Sequence, residues 1–141
     1  MNKVKRIAVS LPTELENEFE DIIRRKAYLS RSKAVADAIH EYISNAKLQE
    51  SHIKTIADNK AVGITIILYN HHTRGVTDKL TEIQHEFGSL ILSSLHVHLD
   101  NDNCLEAIAT KGDVKAIEKL ANSLMITRGV KQGKLVVFQS L

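Results

Sequence analysis

With 141 residues the chain has room for one ordinary domain or two small ones, since domains commonly run ~100–200 residues. A makeup of 43% hydrophobic and 26% charged residues with a single proline excludes a disordered or fibrous chain, and no apolar run approaches the ~18 residues that cross a bilayer. The net charge of +2 is unevenly placed, because Lys3, Lys5 and Arg6 precede the first acid while Glu14 to Asp21 crowd carboxylates onto the next segment. Aromatic side chains make up 4% of the chain and none is Trp, which argues against a stacking platform for single-stranded nucleic acid but leaves a groove reader of duplex DNA open. The N-terminus turns acidic where a secretory signal needs its apolar stretch, so the expected location is the cytoplasm. One cysteine forms no intramolecular disulfide, so its neighbours decide between packing, nucleophile and metal ligand.

In chain order, Val4 to Leu11 alternates, with Ile7, Val9 and Leu11 on one face and Arg6, Ala8 and Ser10 on the other, as in a half-buried strand. Pro12 suits a helix start, and Leu15, Phe19, Ile22 and Ile23 then recur at helical spacing over roughly 13–26. Ser30-Arg31-Ser32 offers capping hydroxyls to a second helix over about 32–47, whose apolar stripe is Val35, Ala38, Ile39, Tyr42 and Ile43. One strand and two amphipathic helices bury too little to stand alone, and the strand needs a partner. The simplest partner is a second copy of the chain, giving a two-stranded antiparallel ribbon across a two-fold axis. The expected organisation is therefore a DNA-binding domain over 1–48, a linker over 49–60 and a second domain over 61–141.

That second domain alternates element types. Ala61–Tyr69 reads as a strand, Arg74–Phe87 as a helix, Leu90–Leu99 and Cys104–Thr110 as strands, Val114–Met125 as a helix and Gly129–Phe138 as a strand. The order βαββαβ matches the ferredoxin-like arrangement, two helices on one face of a four-stranded antiparallel sheet, and makes the whole chain α+β.

The chemistry concentrates in Leu95-His96-Val97-His98-Leu99. Two imidazoles at i and i+2 share one face, and Leu95, Val97 and Leu99 share the other, which is expected to be the core side. Asp100 to Asn103 is turn-forming, and the next strand returns with Cys104, Leu105, Glu106 and Ala107. If His98 lies opposite Cys104 and His96 opposite Glu106, which takes a five-residue connection or a bulge, both imidazoles and the thiol converge. Those donors suit a borderline transition metal, with the thiolate forming as the metal binds. A fourth ligand is needed, and His85, late in the first helix of this domain, is the leading candidate. His71 and His72 are expected to be solvated loop residues with a minor accessory metal role, His40 helix surface and His52 linker. A catalytic Cys–His pair is disfavoured, because ligation occupies the thiolate a nucleophile needs, and the chain is not expected to be an enzyme.

Together the strand Arg6 to Leu11, the Ser30-Arg31-Ser32 helix start, Gln84-His85 and above all Leu95-His-Val-His-Leu-Asp-Asn-Asp-Asn-Cys-Leu-Glu106 resemble the NikR family of nickel-responsive transcriptional regulators. The resemblance spans essentially the whole chain. It implies a ribbon-helix-helix DNA-binding domain followed by an ACT-like domain that binds one Ni(II) per chain and assembles a homotetramer, a dimer of dimers. The implied ligands are His96, His98 and Cys104 of one subunit with His85 of its neighbour, and Glu106 stands beside them. Two positions depart from the pattern. Ala8 is the middle outward residue of the strand, so the operator differs, and the family's second cation site, a carboxylate pair on helix two, here keeps Asp37 but has Lys33 in place of the glutamate.

The expected function is that of a cytoplasmic, metal-responsive repressor of transcription without membrane association. Arg6 and Ser10 would read base edges of double-stranded operator DNA while Ala8 offers a methyl contact, and a phosphate would sit at the helix N-terminus around Arg31 and Ser32. The alternatives are an ACT-domain regulator sensing a small molecule such as an amino acid, or a regulator responding to another transition metal, since Cu(II) outranks Ni(II) in intrinsic affinity. A metal hydrolase would keep a coordination position open for water, which four protein ligands close.

Overall fold

The computed structural model describes residues 3–56 and 59–140. Residues 1, 2, 57, 58 and 141 lie outside the described residues, so the expected 49–60 linker is described only in part and the expected 61–141 domain up to 140. The chain divides into two units, Met1–Gln49 and Glu50–Leu141.

In the first unit, helix α1 (Thr13–Arg25) follows Pro12, whose φ of −55° and ψ of 140° lead into it, with Glu14 and Glu16 in its first turn and Arg24 and Arg25 in its last. Each charge complements the nearer end of the helix dipole. Helix α2 (Arg31–Lys54) is capped by Ser30, whose Oγ accepts from the Lys33 N–H at 3.1 Å. The helix expected to end near 47 continues to Lys54, because the polar run from Gln49 to His52 contains no glycine or proline to stop it. Residues 3–12 pair with no strand among the described residues. Among the described residues of this unit, only Ile23 and Ala34 of the apolar ones are buried, whereas Ile7, Val9, Leu11, Leu15, Ile22, Val35, Ile39 and Ile43 are exposed. An apolar stripe left open on an expected strand and on both helices agrees with a ribbon-helix-helix half.

The second unit holds β1 (Lys60–Asn70), α3 (Val76–Glu86), β2 (Ile91–His98), β3 (Asn103–Asp113), α4 (Val114–Met125) and β4 (Val130–Gln139). The sheet order is β2-β3-β1-β4 with every neighbour antiparallel, the expected βαββαβ arrangement. The central strand β1 is apolar on both faces, so its sequence reads as a run rather than an alternation. Ala61, Ile67 and Tyr69 are buried under the helix layer with Ile108, Leu135 and Val137, against Leu80 of α3 and Ile117, Leu120 and Leu124 of α4. Each of these Ile, Leu and Val side chains contributes about 1.5–3 kcal/mol by leaving water. Ile53 and Ile56 join the same core. Asp113 caps α4, its carboxylate accepting from the Ala116 N–H at 3.1 Å.

One expectation is reversed. The helices cover the face that carries His96, His98, Cys104 and Glu106, since Cys104 and Glu106 are buried on the same side of β3 as the core residue Ile108. Leu95, Val97 and Leu99 are exposed on the helix-free face together with Ile64, Val136 and Phe138. The alternation of β2 separates two faces but cannot say which one the helices take. β2 is also the edge strand, so its helix-side imidazoles stay open to solvent.

Candidate metal centre

Register places the cluster. In the β2–β3 hairpin His98 pairs with Cys104 and His96 with Glu106, across the expected five-residue connection 99–103. The connection is built around Asp100, which accepts from the N–H groups of Asp102 and Asn103, both at 2.8 Å, and from the Asn103 amide. Those three donors hold the Asp100 carboxyl below the usual carboxylate range. On the other side β1 pairs with β3 so that Tyr69 faces Cys104, and the chain beyond Asn70 turns back over the hairpin. The His71 N–H donates to the Asp102 carbonyl at 3.1 Å, and His72 Nε2 donates to the Asn101 carbonyl at 3.0 Å.

The clip brings a third imidazole to the thiol. His71 Nδ1 and His98 Nδ1 each lie 3.3 Å from Cys104 Sγ. Among the described residues His71, His98 and Cys104 form the group able to hold an ion, with donor atoms within 4.8 Å of one another. Two bonds of ~2.0–2.3 Å that meet at a metal near a right or tetrahedral angle put N and S about 3.0–3.5 Å apart, so the observed separations fit a shared ion. Burial pushes the Cys104 thiol up from its ordinary value, and the Asp100 and Glu106 carboxylates add to the effect. The apo thiol is therefore held protonated until a cation replaces its proton.

His96 stands beside this group, its ring 4.9 Å from that of His98, but its Nδ1 faces the Tyr69 hydroxyl at 3.4 Å. Buried Glu106 accepts from the Gln84 amide at 2.7 Å and from the Tyr69 hydroxyl at 3.5 Å. The hydroxyl's one proton goes to the carboxylate, so His96 Nδ1–H donates to the hydroxyl and Nε2 keeps the free lone pair. The chain Gln84, Glu106, Tyr69, His96 thus selects an imidazole tautomer whose open nitrogen is ready to ligate. Its packing also drives the Tyr69 hydroxyl up to about 12, chiefly through burial and secondarily through Glu106.

The other candidates are placed as follows. His85 is exposed in the last turn of α3, outside the His71–His98–Cys104 group. Arg6, Ala8 and Ser10 are all exposed. Arg31 and Ser32 open α2 and are exposed, and the Arg31 guanidinium pairs with Glu16 and Glu20 of α1. Lys33 pairs with Asp37, which holds the carboxyl below and the ammonium above their usual ranges, and the Tyr28 hydroxyl donates to Asp37 at 3.2 Å. Sequence reasoning missed Tyr69 as a positioning group and set His71 aside as loop. The available signal was parity: positions 61 to 69 send every second side chain under the helices, and 71 continues that series beside β3. His52, expected in a linker, instead donates from Nε2 to the Val137 carbonyl at 2.8 Å.

Residues 62–138 match the model of the NikR C-terminal nickel-binding domain. A candidate nickel-responsive regulator of Methanothrix thermoacetophila is 45% identical over 94% of this chain and 91% of its own. Another from Methanocaldococcus jannaschii is 44% identical over 97% and 94%. Among solved structures, an uncharacterized protein of Thermotoga maritima aligns with a TM-score of 0.51 at 21% identity, covering 57% of this chain and 99% of that one, a likeness of fold alone. No helix among the described residues is long and apolar enough to cross a membrane. With a metal-competent His and Cys cluster inside the matched segment, and near full-length relatives well above the identity that chance folds share, the chain belongs to the NikR family.

Proposed function

We propose that this chain is a nickel-responsive transcriptional repressor whose affinity for operator DNA rises when Ni(II) binds, one ion per subunit of a homotetramer. The observation that carries it is the pair of imidazole nitrogens 3.3 Å from a buried thiol within the family's nickel-binding domain. The residues that would hold the metal are His96, His98 and Cys104 with His85 of a second copy, and Glu106 and Tyr69 would orient His96. When bound, nickel supplies a Lewis-acid centre that draws together donors from two subunits. The chain's own residues do the remainder. Cys104 gives up its proton, the Gln84–Glu106–Tyr69 network fixes the His96 tautomer, and the exposed position of His85 leaves it free to serve another copy. A ligand set shared between copies favours the arrangement in which they meet, and that arrangement would be the one that fits DNA.

For DNA, the ribbon formed by two copies of residues 4–11 would enter the major groove, where Arg6 donates two bonds to a guanine, Ser10 bonds either base type and Ala8 makes an apolar contact. Arg31 is already committed to two carboxylates, so anchoring of a backbone phosphate at the start of α2 would fall to the free N–H groups there, with Ser32.

A second ligand set is favoured by one observation: His71 reaches Cys104 within a single chain, whereas His96 is turned to Tyr69. Nickel titration followed by ligand-to-metal charge-transfer absorption separates the two. Cys104→Ala should lose the band in either case. Under the shared-ligand reading, His96→Ala and His85→Ala alter the charge-transfer spectrum while His71→Ala leaves it unchanged. Retention of the full spectrum in Cys104→Ala would reject both sets.

A further inference from the structure

Away from the metal centre, a cavity of about 510 Å³ lies between α3 and the end of α4. Its walls sort by chemistry. Arg74 and Arg128 line it, and neither makes an ion pair among the described residues, while the third cation, Lys79, is tied to Glu82 at 2.8 Å. The two arginines share one end, because Gly129 packs on the Thr73 side chain and the Gly129 carbonyl accepts from the Asn70 N–H at 3.1 Å, which holds the two loops together. Glu86, the carboxylate of the lining, is three turns farther along α3. Between the ends the surface is apolar, formed by Val76 and Ile83 and by Ile126, which is 84% exposed although it follows directly on the core helix α4. The hydroxyls of Ser123 and Thr127 donate to the carbonyls of Lys119 and Ser123, so the side-chain donors left to the cavity are chiefly the guanidinium groups.

We infer that this cavity is a binding site for a small organic anion, a carboxylate or phosphate with a compact apolar body. Its head would bond Arg74 and Arg128, whose planar forks match such oxyanions, and its body would cover Ile83 and Ile126. The volume suits a ligand of that size, and an apolar surface with a few convergent polar groups is the usual composition of such sites. Glu86 sets the direction, since it repels an anionic head from the far end.

The test uses the full chain and three probes, phenyl phosphate, inorganic phosphate and benzyl alcohol, with affinities from calorimetry and the site mapped by hydrogen–deuterium exchange. Phenyl phosphate should protect the segments around Arg74–Lys79 and Ser123–Arg128 and bind at least ~10-fold more tightly than inorganic phosphate, because burial of the ring adds to the charge pairing. Benzyl alcohol should not bind. Arg74→Gln and Arg128→Gln should each weaken phenyl phosphate by about tenfold or more, and Ile126→Ser should weaken it while leaving inorganic phosphate unchanged. Equal affinity for the two phosphates, protection elsewhere, or indifference to both arginine substitutions would overturn the assignment. So would protection of these segments by random-sequence duplex DNA but not by phenyl phosphate, since they would then serve the nucleic-acid backbone.

Discussion

Cys104 sits at zero exposure on β3 with two imidazoles aimed at its sulfur, and burial holds its proton on. With the thiolate as the proposed ligand, nickel uptake should release a proton, and affinity should rise by up to about tenfold per pH unit below the raised thiol value. Proton release in weakly buffered solution measures it directly, and uptake without release would mean that the thiol is not a ligand. The stability of the apo-protein runs the other way. Both Cys104 and Tyr69 are raised, so the stability they contribute is fully present below their ordinary values of 9.0 and 10.0 and is lost as pH climbs through the raised ones, about 12 for Tyr69. On α2, Lys33 meets Asp37 where the family pattern has two carboxylates, so the pair carries no net charge and a bound cation loses most of its electrostatic reason to be there. Operator binding by the nickel-loaded protein should then be indifferent to potassium or sodium at fixed ionic strength, and Lys33→Glu should create a preference. A potassium requirement in the parent would contradict this.

The hairpin of β2 and β3 is the element that assembles the site, and it was largely legible. The i, i+2 spacing of His96 and His98, the turn at Asp100–Asn103 and the return through Cys104 determine the pairing once a five-residue connection is accepted, and that pairing is observed. Helical spacing likewise placed α1 at 13–26 against Thr13–Arg25, and the βαββαβ order followed from changes of period. What was not legible depends on elements distant in sequence. His71 reaches the thiol only because β1 lies beside β3, a pairing that separates the two by 33 residues. The helix-covered face of β2 was assigned the wrong way because Leu95, Val97 and Leu99 look like core in isolation; within one chain they are exposed. In the proposed homotetramer another copy would cover them. Val97→Lys, which puts an ammonium between Leu95 and Leu99 on that face, should lower the proposed assembly from tetramer to dimer in sedimentation while the chain still folds, because a buried unpaired charge costs several kcal/mol. A tetramer unchanged by that substitution would show that this face is not an interface.

At the scale of the molecule, two units each leave an apolar surface uncovered: the stripe of Ile7, Val9 and Leu11 with α1 and α2 in one, the helix-free sheet face in the other. On the proposed reading the first surface would pair subunits for DNA and the second would join those pairs, the symmetry of a dimer of dimers. Ligands drawn from two copies would connect the chemistry of the second unit to the recognition of the first, with a coupling typically of 1–3 kcal/mol, about 5–150-fold in affinity. The most direct measurement is binding of the full chain to operator duplexes selected from random sequence, by fluorescence anisotropy at fixed salt, with and without stoichiometric Ni(II), for the parent and Cys104→Ala. The parent should bind at least ~10-fold more tightly with nickel, and Cys104→Ala should bind equally in both conditions. A nickel response of undiminished size in Cys104→Ala, or none in the parent, would contradict the account.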